Sequence, residues 1–187
     1  VAEMASIIKR LSLGEWLQHD CLKSRSYTAD VFEKISLNKT SSVLEWCSLS
    51  PFILANYPDE VKKLARDIGR NLGLCFQLYD DILDFSENSE KDKLLDLKNG
   101  QLTFTTYTYL LDNDLLKAYE SGDDLASIID NEKVQSVIPI IANKADEYHQ
   151  KSIDSLEKLA SVLDISSRDQ NLKAILFLLE KLKNRSK

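Results

Sequence analysis

Apolar residues recur at intervals of three and four along nearly the whole of this 187-residue chain. Such spacing places them on one face of an α-helix, and no run with the alternating spacing of a β-strand competes with it. Helices are predicted at about 1–19, 28–37, 40–56, 59–86, 103–120, 123–130, 133–163 and 167–184. A composition of 43% hydrophobic residues with only five Gly and three Pro suits a helical protein. We therefore expect an all-α protein that forms one domain over residues 1–187.

Charge and hydropathy argue against two classes of protein. The net charge of −6 is unsuited to a nucleic-acid-binding surface, because phosphate backbones require clustered Lys and Arg. The apolar runs are too short to span a membrane. The three cysteines are widely spaced and odd in number, which favours neither a zinc site nor disulfides and fits a cytoplasmic location. Val1 begins within an amphipathic helix, so we expect a truncated start; an upstream organellar presequence is the alternative to the cytoplasm.

An acidic stripe is predicted on the helix at 59–86. Residues 71–90 contain no Lys or Arg. The apolar half of this helix comprises Leu74, Cys75, Leu78, Tyr79, Ile82 and Leu83, and the opposite half comprises Gly73, Gln77, Asp80, Asp81 and Asp84. Like charges one turn apart destabilise a helix, so a cation from outside is expected. Carboxylates favour Mg²⁺ shared with substrate phosphates, and a solvated acidic face is the alternative.

Four motifs occur in order and together resemble the trans-isoprenyl diphosphate synthase, or polyprenyl synthetase, family. They are Gly14-Glu15-Trp16-Leu17-Gln18, Lys39-Thr40, the segment 70–84 with Phe76-Gln77 ahead of Asp80-Asp81-Ile82-Leu83-Asp84, and Asp96-Leu97-Lys98-Asn99-Gly100-Gln101-Leu102-Thr103. A single Asp-Asp-x-x-Asp pattern is weak, but four ordered motifs at family-like intervals are specific. The resemblance covers almost the whole chain. It implies an all-α isoprenoid-synthase-type bundle, of which these residues form the C-terminal larger part.

The resemblance also implies a function and its residues. The reaction would be a Mg²⁺-dependent prenyl transfer that condenses an allylic diphosphate with isopentenyl diphosphate and makes a polyprenyl diphosphate. The metal ligands would be Asp80, Asp81, Asp84 and Asp96, and the catalytic and substrate-binding residues would be Lys39, Thr40, Gln77 and Lys91. In these roles Lys39 would contact a diphosphate, Gln77 would lie near the reacting carbon, and Lys91 would clamp the allylic diphosphate. The family further implies a homodimer, or a heterodimer with a related subunit.

Several of these residues have a simpler interpretation when each is taken alone. Lys39-Thr40 would be an ordinary helix start, Lys91 a solvated lysine, and Asp96 a cap of the next turn. Trp16, Trp46 and the tyrosines are predicted to lie in the core rather than to contact a cofactor. A second acidic group has a spacing that predicts only exposed helix starts; it comprises Asp123, Asp124 and Asp130.

The chain departs from the family pattern in the segment after the acidic stripe. Leu94 stands where a glycine is expected, Gln101 where a lysine is expected, and Thr105 where a proline is expected. The family's first aspartate-rich motif should precede Val1. These departures leave a non-catalytic partner of an active synthase as the second hypothesis. A terpene cyclase of the same fold is a third, weaker one, because Lys39-Thr40 and the segment 100–103 favour chain elongation.

Overall fold

The computed structural model describes residues 2–85, 97 and 99–183. Regular structure in this part of the chain is helical, so the all-α prediction is confirmed. The helices are α1 (Ala2–Ser24), α2 (Ala29–Ser36), α3 (Ser42–Leu54), α4 (Asp59–Leu83), α5 (Phe104–Asp112), α6 (Leu116–Ser121), α7 (Leu125–Ile128), α8 (Asn131–Val134), α9 (Ile138–Val162) and α10 (Gln170–Lys183). A π-helical turn, Leu37–Ser41, joins α2 to α3.

Two predicted helices are divided in the structure. The helix predicted at 103–120 is interrupted between α5 and α6, where Asp114 takes a left-handed backbone with φ of +56°. The helix predicted at 133–163 begins only at Ile138, after the single turn of α8. The Asp124 and Asp130 side chains accept backbone N–H groups at the starts of α7 and α8, which confirms the predicted helix starts.

Helix α4 lies at the centre of the fold, between α3 and α9. Its contact with α3 is close because of two glycines. A Cβ at Gly69 would lie 2.2 Å from the Leu44 carbonyl oxygen, and one at Gly73 would lie 2.3 Å from Ser41 Cα. No side chain fits at either position, so glycine brings the backbone of α4 against α3 and the π-helical turn.

Helix α9 runs antiparallel to α4. Ile82 near the end of α4 shares an apolar cluster with Ile141 near the start of α9, and Val61 shares another with Leu159 at the opposite ends. Leu179 of α10 joins the second cluster. The C-terminal helix therefore packs across both long helices.

A third apolar cluster joins α1 and α2 to the short helices α5–α8. Phe32 lies in it and contacts the rings of Tyr27, Phe104 and Tyr107. The prediction for Trp16 is wrong, because 64% of its surface is exposed on α1. Among the helices described here, none has the length and apolar character needed to cross a membrane.

Candidate active site

Lys39 and Thr40 lie within the π-helical turn. Ser36 and Ser42 on either side keep right-handed helical backbone angles, so the interpretation of Lys39-Thr40 as a helix start is wrong. Such single-turn π segments are frequent at functional sites. Here the Lys39 side chain reaches α1, while the Thr40 side chain reaches α4.

The Lys39 ammonium is held by residues of the first motif. Its Nζ donates to Gln18 Oε1 at 2.5 Å and pairs with Glu15 Oε1 at 2.9 Å. Gly14 permits this approach, because a Cβ there would lie 2.7 Å from Lys39 Cγ. The Glu15 side chain is 67% exposed, and ion pairs to exposed carboxylates contribute little stability. The ammonium can therefore exchange this carboxylate for an incoming anion at small cost.

A chain of hydrogen bonds joins the π-helical turn to α4 and α5. Thr40 Oγ1 donates to Gln77 Oε1 at 2.8 Å, and Gln77 Nε2 donates to Asp81 Oδ1 at 3.0 Å. The backbone N–H of Phe104, the first residue of α5, donates to Asp81 Oδ2 at 3.0 Å. A carboxylate is favoured at a helix N-terminus, where backbone N–H groups and the helix dipole present positive charge. Together these bonds fix the orientation of the Gln77 amide.

Asp81 differs from the other two acids of the stripe. Only 8% of its surface is exposed, whereas Asp80 and Asp84 are both exposed. Burial raises the pKa of Asp81 to about 7, even though hydrogen bonds from Gln77 and Phe104 favour the charged form. The sequence predicted that Gly73 and Asp81 lie on the polar half of α4 with the other acids. This is wrong for both, because Asp81 lies in the interior and Gly73 is buried against Ser41.

A cavity of about 200 Å³ opens beside these residues. Lys39, Gln77 and Asp81 line it, so three of the predicted site residues share one wall. Its charged and polar lining is combined with the apolar side chains of Phe32, Leu74, Leu78 and Phe104. Such a wall suits a ligand with an anionic head and an apolar tail.

The acidic stripe offers ligands that suit a shared metal ion. Asp80 and Asp84 lie one turn apart on the exposed side of α4, and Asp81 is next to them in the cavity wall. Among the described residues, no group of three His, Cys, Asp or Glu side chains is arranged to hold a metal by itself. This donor set fits Mg²⁺, which is commonly bound through one or two carboxylates together with substrate phosphates.

The remaining predicted residues follow the acidic stripe in the sequence. Lys91, Asp96 and Leu94 lie outside the described residues. Gln101, which stands in place of a lysine, lines the cavity. Thr105 is fully buried in α5.

The cavity also has a charged residue that no motif indicates. Lys144 of α9 lines it, and its Nζ lies 4.6 Å from the centre of the Phe104 ring. The sequence does not predict this position, because Lys144 is far from the motifs along the chain and reaches the cavity only through the packing of α9 on α4. The N–H of Phe104 was missed for a related reason, since a backbone donor has no side-chain signature.

Solved structures of prenyl diphosphate synthases share this bundle. An Arabidopsis medium/long-chain length prenyl pyrophosphate synthase in its apo form superimposes with a TM-score of 0.80 and 25% identity, over 100% of this chain and 64% of that one. A geranylgeranyl pyrophosphate synthase from Bacteroides thetaiotaomicron has a TM-score of 0.80 at 22% identity, over 99% of this chain and 63% of that one. The second comparison concerns the fold alone. Both show that the chain has the all-α isoprenoid synthase fold.

The family follows from the sequence. The family model described as polyprenyl synthetase matches residues 1–139, and the chain belongs to that family. Solanesyl-diphosphate synthase 1, mitochondrial, of Oryza sativa is 35% identical over 106 residues, which are 55% of this chain and 25% of the rice protein. A prenyl transferase of Cyanidium caldarium is 28% identical over 167 residues, 85% of this chain and 52% of that protein. The chain thus spans about a quarter to a half of these curated relatives.

Proposed function

We propose that this chain carries the second acidic motif of a Mg²⁺-dependent prenyltransferase. The enzyme would condense an allylic diphosphate with isopentenyl diphosphate and make a polyprenyl diphosphate. The observation that supports it most is the convergence of Lys39, Gln77 and Asp81 on one cavity, beside the exposed acids Asp80 and Asp84, with Thr40 hydrogen-bonded to Gln77. These side chains come from two motifs of the family, and packing joins them at a cavity with an apolar side.

The chemistry requires an anion to leave and a cation to be tolerated. The allylic C–O bond breaks, its electron pair leaves with pyrophosphate, and the double bond of isopentenyl diphosphate attacks the carbocation; loss of a proton then restores a neutral chain. Lys39 would bind the diphosphate as a point charge. The Gln77 carbonyl oxygen, oriented by Thr40 and Asp81, would turn a negative dipole toward the carbocation.

The metal would be held by the acidic stripe. We propose Asp80 and Asp84 as ligands, with Asp81 next to them and Asp96 as a further ligand outside the described residues. Bound Mg²⁺ would supply the positive charge that neutralises the departing pyrophosphate. Lys91, also outside the described residues, would add a second ammonium to the diphosphate. The acids of α4 would thereby hold the metal for the leaving group, Lys39 of the π-helical turn would contact the diphosphate, and Gln77 of α4 would face the reacting carbon.

We also propose that the chain acts as a homodimer or as a heterodimer with a related subunit. Helix α1 presents Met4, Ile8 and Trp16 at intervals of four and eight residues, and they are 46%, 56% and 64% exposed. Exposed apolar side chains that follow one helix face are typical of a protein interface. The proposed location is the cytoplasm, and the alternative is an organelle, since the rice relative is named mitochondrial.

Turnover by the complete natural polypeptide that carries this sequence tests the proposal. With Mg²⁺, farnesyl diphosphate and isopentenyl diphosphate, we expect pyrophosphate release and a longer prenyl diphosphate. Asp80→Ala should reduce the rate about 100-fold or more, because it removes a proposed ligand of the Mg²⁺ that would neutralise the leaving group. Asp59→Ala is the matched control: it removes an exposed carboxylate from the first turn of the same helix and should leave the rate within about twofold.

Two results would separate the hypotheses. Magnesium-dependent uptake of a prenyl diphosphate without turnover for any substrate pair would favour the non-catalytic subunit. Absence of both uptake and turnover would contradict a prenyl diphosphate site on this chain.

A further inference from the structure

Three polar side chains, one from each of α4, α9 and α10, meet behind the acidic stripe. The Tyr79 hydroxyl of α4 donates to Asp146 Oδ1 of α9 at 2.5 Å. Lys183 Nζ, in the last turn of α10, lies 3.2 Å from the same Asp146 oxygen. We call this set the Tyr79–Asp146–Lys183 bridge. Tyr79 lies within the segment 70–84, but Asp146 and Lys183 belong to none of the motifs that carry the proposed function.

Burial and charge determine which group of the bridge donates a hydrogen bond and which accepts it. Tyr79 is 5% exposed, and its hydroxyl donates to the Asp146 carboxylate. Burial alone would raise the pKa of Asp146, but hydrogen bonds from Tyr79 and Lys183 lower it, so its carboxylate stays charged. A hydrogen bond to a charged acceptor constrains distance and angle more narrowly than an apolar contact does.

The bridge lies at the end of α10 that is nearest to the stripe. Leu179 of α10 belongs to the apolar cluster that also includes Val61 and Leu159, at the far ends of α4 and α9. Lys183 contacts the opposite end, through Asp146, at the residue that immediately precedes Asp80. A helical backbone is stiff over one residue, so the position of Tyr79 determines the rotation and height of Asp80 on α4.

We propose that the Tyr79–Asp146–Lys183 bridge positions the acidic stripe for the metal and the diphosphate, which makes the C-terminal helix a support of the active site. These three are positioning residues, since they act through Asp80. The inference rests on the proposed function, because it assumes a metal at Asp80. The affinity for Mg²⁺ therefore also depends on Lys183, although Lys183 lies 103 residues beyond Asp80 in the sequence.

The test measures the Mg²⁺ concentration at half-maximal binding of farnesyl diphosphate, by calorimetry on the complete polypeptide. Lys183→Ala should raise this midpoint about tenfold, as losses of groups that orient metal ligands do. Lys183→Arg keeps a donor and a charge at the end of α10 and should restore the midpoint to within about twofold. Lys181→Ala is the matched control, since Lys181 lies in the same turn but over the Phe177 ring, away from the bridge.

A second measurement does not depend on ligand binding. Hydrogen exchange of the metal-free protein, followed by mass spectrometry, should show faster exchange at the end of α4 in Lys183→Ala and in Tyr79→Phe, but not in Lys181→Ala. Tyr79→Phe keeps the buried ring, so it separates the hydroxyl from the packing.

The two proposals fail in different ways. If the unaltered protein binds the diphosphate with Mg²⁺ but Lys183→Ala shows an unchanged midpoint, or the same shift as Lys181→Ala, the positioning role is wrong and the proposed function stands. If the unaltered protein takes up no farnesyl diphosphate with Mg²⁺, the proposed function is wrong and the positioning role is wrong with it.

Discussion

Gln77 shows how a single residue of the site is prepared for its role. Both ends of its amide are bonded, the carbonyl oxygen to Thr40 and the NH₂ group to Asp81. Because Asp81 accepts a hydrogen bond from the NH₂ end of the amide, the carbonyl end is left to accept from the Thr40 hydroxyl. The oxygen is thereby turned toward Thr40 and the π-helical turn, which is the orientation that the proposed reaction needs.

Removing the Thr40 hydroxyl should loosen this arrangement without changing the shape of the side chain. We expect Thr40→Val to reduce the free energy of unfolding by about 1 kcal/mol, the contribution of an ordinary hydrogen bond, and to lower turnover more than substrate affinity. Urea unfolding and steady-state kinetics measure the two effects. The control is Thr108→Val, which removes a hydroxyl bonded only to the Phe104 carbonyl of its own helix and should leave turnover unchanged.

Asp81 should give the folded protein a particular dependence on pH. Its pKa in the folded state, about 7, lies above its ordinary value of 3.8, so the folded state binds the proton more tightly than the unfolded chain does. This contribution to stability is complete below the ordinary pKa and is lost as the pH rises through about 7.

The comparison is with Asp81→Asn, which has no proton to lose. Plotted against pH from about 4 to 8, the unfolding free energy of the unaltered protein should fall relative to that of the variant. Urea unfolding at each pH measures it. Parallel curves for the two proteins would contradict the assignment of a raised pKa to Asp81.

At the scale of the element, the position of α4 depends on its two buried glycines. Gly69 and Gly73 lie one turn apart and face the Leu44 carbonyl and Ser41, which are backbone neighbours that cannot move aside as a flexible side chain would. Gly73 therefore sets the distance between α4 and the π-helical turn. The Thr40–Gln77 bond bridges the same gap, so the packing of the helices and the geometry of the site are coupled.

Alanine at either glycine should separate the two elements. The cost of overpacking should exceed the roughly 1 kcal/mol that alanine adds in helix propensity. We therefore expect Gly69→Ala and Gly73→Ala each to lower the free energy of unfolding, by about 1–3 kcal/mol. Gly73→Ala should also reduce turnover, because it displaces the Thr40 segment. Urea unfolding and kinetics test both effects, with the exposed Lys63→Ala of α4 as a control that stays within about 0.5 kcal/mol. Unchanged stability in the glycine variants would show that the close approach is not required.

At the scale of the whole molecule, the outer face of α1 connects the site to the proposed second subunit. Its inner side carries Gly14, Glu15 and Gln18, which face Lys39, while Ile8 and Trp16 are exposed. A partner that covers this outer face would lie against the helix that holds Lys39. Assembly and diphosphate binding would then share an element.

We expect the double substitution Ile8→Glu with Trp16→Glu to convert a dimer into a monomer, because two charges would be buried in an apolar interface. Light scattering after size-exclusion chromatography measures the mass. Leu111→Glu, at a residue 52% exposed on α5, is the control for an added surface charge and should leave the mass unchanged. A monomeric unaltered protein, or an unchanged dimer in the variant, would contradict an α1 interface.

Local patterns in the sequence were enough for most of the helices and for the family, and they nominated the candidate residues. Helical spacing is a property of neighbouring residues, and the order of four motifs is a property of the chain, so both can be read without a fold. Neither reports where a helix face points. The periodicity of α4 placed Asp81 with the solvated acids, yet α5 covers it, because the N–H of Phe104 needs an acceptor.

Only the tertiary structure decided which distant groups meet. The π-helical turn turns Lys39 and Thr40 toward different helices, and close packing at Gly73 brings Thr40 to Gln77, 37 residues away. Tyr79 meets Asp146 across 67 residues, and Lys144 reaches the cavity from the same helix α9. Such contacts arise from the burial of apolar faces over the whole chain, and burial depends on all the helices at once rather than on the spacing within any one of them.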